Sequence, residues 1–169
     1  MTKLVIPALA ATILVSAWSA VSFSPASRAY QATPAAPAVI ASEVLGRATP
    51  AVADHAELAL GRVTIMPGAE IPIHYHAGAQ IGAVVQGELT YTVFSGEIAW
   101  HRGDHPDAAP TIIEPGQTVV VRVGDALIES PGSVHQGRND GDEPLVIYLS
   151  TLFPANAPRA ILVAATPTP

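Results

Sequence analysis

His74 and His76 stand two residues apart in the run Ile71–His76. On a strand, residues i and i+2 project from one face, so imidazoles at this spacing lie side by side and can share one ion. Gln80 follows past Gly78, where the chain can turn, and His135 stands alone just after the Pro131-Gly132 turn. Three imidazoles and one amide oxygen suit one divalent transition metal, whether Fe, Mn, Zn, Ni or Cu, and suit Ca or Mg poorly. A solvated strand also carries polar residues at i and i+2, so the pair alone does not decide the matter. The absence of cysteine removes disulfides, thiolate nucleophiles, zinc knuckles and iron–sulfur clusters. Any metal must therefore sit on nitrogen and oxygen.

Other residues of suitable type read as structural. His101, Asp104, His105 and Asp107 share one segment, which could hold a second ion but reads as a solvated loop. His55 lies among polar residues and is expected to be exposed. Glu129 faces either the metal or the solvent, and alternation does not choose between them. Tyr75 points away from its histidine neighbours and reads as packing, as do Tyr91, Phe94 and Tyr148. Arg122 is expected to pair with Asp125 or Glu129.

The elements that must carry these groups are short. Runs rich in Val, Ile, Thr and Tyr alternate with Gly and Pro breaks every 8–12 residues or so, the texture of an all-β sandwich or barrel. The expected strands are Glu57–Met66, Ile71–His76, Gln80–Gln86, Glu88–Phe94, Gln117–Val123, Ala126–Glu129, Val134–Asn139 and Leu145–Thr151. Ser95 to Pro110 lacks alternation and reads as an inserted loop with a short strand near Ile98–His101. No stretch beyond the first thirty residues keeps a capped helical period.

With these residues placed, the sequence resembles the cupin superfamily. The first motif of that family runs G, five residues, HxH, three or four residues, E, six residues, G. Gly68, His74, His76, Gln80 and Gly87 stand at those spacings, with Gln in place of the usual Glu. The second motif runs G, five residues, PxG, two residues, H, three residues, N. Gly124, Gly132, His135 and Asn139 match it, while Ser130 replaces the expected Pro. The resemblance implies a single cupin barrel, a double-stranded β-helix or jelly roll, with His74, His76, His135 and Gln80 turned inward onto a metal. A Gln ligand supplies a carbonyl oxygen but neither charge nor basicity. That leaves a 2+ ion uncompensated and a stronger Lewis acid. It argues against the flavonol-cleaving type of mechanism, in which the family's Glu takes a substrate proton. A three-histidine site with open positions fits O2 activation, as in the thiol dioxygenases of the same fold. An oxidoreductase of dioxygenase-like type is therefore expected. The rivals are a barrel that binds a small molecule or metal without chemistry, and a structural role with an empty site.

The 169 residues suffice for one domain, and a hydrophobic content of 49% excludes a wholly disordered chain. Basic residues number 8 against 14 acidic ones and form no run, which argues against a nucleic-acid partner. Leu4 to Phe23 is uncharged and mostly apolar, follows Lys3 and precedes small residues, the order of a signal peptide. Cleavage is expected after Ala29, with Ala20, Ser22 or an uncleaved anchor as alternatives. It would remove Lys3 and Arg28 and leave no lysine. The expected organisation is a signal peptide over 1–29, a Pro/Ala-rich linker over 30–42, the barrel over 43–159 and a tail over 160–169. The product would be periplasmic or extracellular and free of the membrane. Its partner would be a small-molecule substrate or ligand, and its exposed strands allow a homodimer.

Overall fold

The computed structural model describes residues 39–105 and 107–163. The expected signal peptide and most of the linker lie outside these, as do residues 164–169 of the tail. Among the described residues there are twelve strands and no helix. They are β1 (Ile40–Ala48), β2 (Ala56–Ile65), β3 (His74–Tyr75), β4 (Ala79–Gln86), β5 (Leu89–Ser95) and β6 (Ile98–His101). Then come β7 (Thr111–Ile113), β8 (Thr118–Val121), β9 (Ala126–Glu129), β10 (Val134–Arg138), β11 (Leu145–Pro154) and β12 (Ile161–Leu162). One sheet runs β1-β2-β11-β4-β9-β6-β7 and the other β12-β3-β10-β5-β8. All pairings within them are antiparallel. This is the all-β jelly roll expected from the sequence.

Alternation places the core. Leu89, Tyr91 and Val93 turn inward from β5, where Val93 is fully buried, while Thr90 and Thr92 face outward. Ile65, Ile98, Val121, Leu127 and Leu145 complete the packed interior. Buried Asn139 ties the barrel together: its Nδ2 donates to Ile65 O at 2.9 Å and Glu143 O at 2.8 Å, and its Oδ1 accepts from Gly141 N. Every polar atom of that amide is thus used inside the protein.

The strands differ from expectation mainly at the ends. β1 starts at Ile40, inside the stretch read as linker, and pairs with β2 from Ile40↔Ile65 to Ala48↔Leu58. β12 lies in the segment read as tail and pairs with β3 through Ile161↔Tyr75 and Leu162↔His74. The expected strand at Ile71–His76 contracts to two residues. Pro72 has no N–H to give a ladder. Its neighbours bond singly instead, Ile71 N to Gly137 O and Val163 N to Ile73 O.

Candidate metal centre

Two cross-strand pairs, one from each sheet, build the site. In the five-stranded sheet His135 on β10 lies opposite His74 on β3. In the seven-stranded sheet Gln80 on β4 lies opposite Glu129 on β9. His76 follows β3 directly, and the interior between the sheets receives all five side chains. Each of the five residues is buried.

The ring nitrogens carry the chemistry. His74 Nδ1 lies 2.8 Å from Pro72 O, His135 Nδ1 lies 2.9 Å from Ser133 O, and His76 Nδ1 meets Arg159 O. A carbonyl oxygen only accepts, so each Nδ1 carries the proton and each neutral imidazole presents a bare Nε2. One ring nitrogen from each histidine falls within 4.8 Å of the other two. Stacking fixes two of the rings: His76 lies against Phe153 and His135 against Tyr91, with centroids 5.4 and 5.2 Å apart. Converging lone pairs repel unless a cation or a proton lies among them. Nδ1 bonds to backbone oxygens are also how metal-ligating histidines are oriented. The donor set therefore fits a divalent transition metal.

Glu129 joins this group, resolving the choice that alternation left open. Its Oε2 is 3.3 Å from His76 Nε2 and 3.5 Å from His135 Nε2. Oε2 accepts from Gln80 Nε2 at 2.7 Å and Oε1 from the Tyr91 hydroxyl at 2.9 Å. Gln80 Nε2 is also 3.3 Å from His76 Nε2. Burial pushes the Glu129 carboxyl up, but its polar contacts, the Tyr91 hydroxyl among them, hold it below the usual range. Tyr91 is held well above its ordinary range by burial and by the Glu129 charge, so it remains a donor. Burial lowers His74 to about 4, helped by the proximity of His135, and lowers His135 as well.

The site opens on a cavity of about 320 Å3 whose walls include Val63, Ile71, Val84, Leu127 and Ile147, with Arg159 also lining it. The remaining sequence candidates stay apart from it. His55 and His105 have largely exposed side chains, and Asp104 pairs with Arg102. The Arg122 side chain pairs with Glu88 at 3.1 Å rather than with Asp125 or Glu129. Asp125 instead accepts the Arg122 and Gly103 backbone N–H groups and the Trp100 indole N–H. Phe94, expected in the core, is exposed, whereas Tyr91 is a buried part of the site.

Residues 61–105 match the family model described as Cupin domain. Germin-like protein 5-1 of Oryza sativa subsp. japonica is 33% identical over 103 residues, 61% of this chain and 38% of the rice protein. A solved oxalate oxidase in complex with the substrate analogue glycolate superposes with a TM-score of 0.51 at 21% identity, over 78% of this chain and 59% of that one. Oxalate decarboxylase of Lactobacillus farciminis, in a formate complex, gives 0.46 at 22% identity, over 63% and 26%. The chain thus spans less than two fifths of the curated relative it matches. Residues 61–105 thus resemble a cupin domain, the superposition on the oxalate oxidase is a likeness of fold, and His74, His76 and His135 form a group that could hold a metal ion.

Proposed function

We propose that this protein is an exported metal-dependent enzyme that oxidises a small organic molecule inside the barrel. The observation that carries the reading is the convergence of three unprotonated imidazole nitrogens on a cavity of about 320 Å3 with largely aliphatic walls. His74, His76 and His135 would hold the ion, with Gln80 beside them. A divalent metal bound there would supply Lewis acidity and, if redox-active, a route for O2. The chain's own part is positional. Backbone carbonyls hold each imidazole as the Nδ1–H tautomer, and burial keeps bulk water from the donors. The aliphatic walls accept an apolar substrate body, and Arg159, which has no ion-pair partner among the described residues, offers a pairing point for an anionic head group.

Elemental analysis of full-length protein purified without added metal tests the first half. About one transition metal per chain is expected, lost in His74→Ala and in His135→Ala. Metal content unchanged by both substitutions would overturn the reading. Oxygen uptake with a panel of small apolar acids tests the second half, and a metal-loaded protein that consumes none is a binding barrel. Export belongs to the same proposal, and an N-terminus still at Met1 in the extracytoplasmic fraction would refute cleavage after Ala29. So does a homodimer, which the exposed Leu58, Leu60, Ile81 and Leu152 on the seven-stranded sheet support and sedimentation would measure.

A further inference from the structure

We propose that Glu129 Oε2 is the fourth protein donor to the metal, and that Gln80 is the hydrogen-bond donor that aims it. This deepens the metal-site reading above and rests on it. The Gln80 atom facing both Glu129 and His76 is the amide nitrogen, at 2.7 and 3.3 Å. One of its hydrogens meets Glu129 Oε2, and that nitrogen has no lone pair to give an ion. Turning the amide over would set its oxygen against the carboxylate, with no hydrogen between them. Gln80 is thus held in the orientation that donates.

Glu129 has what Gln80 lacks. Oε2 stands 3.3 and 3.5 Å from two imidazole Nε2 atoms. Donor bonds of about 2.1 Å place neighbouring ligands about 3.0 Å apart in an octahedron and about 3.4 Å apart in a tetrahedron. Both separations therefore match ligand-to-ligand edges. The carboxylate is buried, and among the described residues no Lys or Arg pairs with it; its close partners are the two imidazoles, Gln80 and Tyr91. A buried carboxylate without a basic partner is costly unless a cation joins it. An ion among the three Nε2 atoms answers that need. Gln80 on Oε2 and Tyr91 on Oε1 fix the carboxylate from two sides, as groups behind a ligating carboxylate do.

Titration of the metal-free full chain with Mn2+, following free Mn2+ by its EPR signal, tests the assignment. Wild type, Glu129→Gln, Glu129→Asp and His135→Ala are compared. Glu129→Gln is expected to weaken binding at least tenfold. Glu129→Asp keeps the charge but withdraws the oxygen by one methylene, so direct ligation requires a comparable loss. Should Glu129→Gln fail to fold, Glu129→Asp carries the test alone. Binding within twofold of wild type in either folded Glu129 variant, while His135→Ala abolishes it, overturns the role of Glu129 and leaves the histidine site standing. Uptake by wild type that His135→Ala does not alter overturns both readings together.

Discussion

Acid acts on the metal-free protein through His74. Its folded value of about 4 lies below the ordinary 6.5, because burial and the neighbouring His135 disfavour the imidazolium. Between those values the unfolded chain binds a proton that the folded chain refuses. The stabilisation is complete above pH 6.5, declines as pH falls and is gone near pH 4, a loss of at most about 3 kcal/mol for this group. His135, also lowered by burial, adds to the same slope. Glu129, held below its ordinary 4.5, loses its contribution only at lower pH. Urea unfolding of chelator-treated protein should therefore show a midpoint that falls from pH 7 to pH 4.5, and His74→Phe should flatten that fall. An equal slope in the variant would assign the effect elsewhere. The histidines were legible because their spacing is local. Glu129 was not, because Ala126-Leu127-Ile128-Glu129 offers one large aliphatic on each face. Only the pairing with Gln80, 49 residues away, selects the face.

Between the ligand-bearing strands β3 and β4, Gly78 leaves no room for a side chain. A Cβ there would lie 2.2 Å from Leu152 O and 2.8 Å from Phe153 Cα, both backbone atoms of β11. Gly78→Ala must push two strands apart beside His76 and Gln80. A loss of about 2–3 kcal/mol is expected, together with weaker metal binding. Thermal unfolding with and without metal measures both. Gly46→Ala on β1 meets nothing within 4 Å and should leave both unchanged. The inner strands were readable, because each carries a buried apolar phase of its own. β1 shows no such phase, since most of its residues are exposed along one edge of the sheet. β7 has three residues and β12 two, too short for alternation to register. Backbone pairing with strands distant in sequence holds these elements, and that information is not local.

For the molecule as a whole, closure of the site depends on the far end of the chain. Segment 159–163 gives Arg159 O to His76 Nδ1, two pairing partners to β3 and Val163 N to Ile73 O. Stopping the chain after Pro158 should leave the core of β2, β4, β5 and β11 folded by far-ultraviolet circular dichroism. It should also weaken metal binding by about 10- to 100-fold, the usual cost of removing the partner of a ligating histidine. Unchanged affinity in the shortened chain would show that His76 is oriented without Arg159. The bond from Arg159 to His76 also sets an order of events. The group that orients the ligand is synthesised 83 residues after it, so a growing chain presents no finished site. The site is complete only after β12 has docked. For a metal held there, geometry, ligand type and the supply of ions where the chain completes folding would then decide the choice, rather than raw affinity.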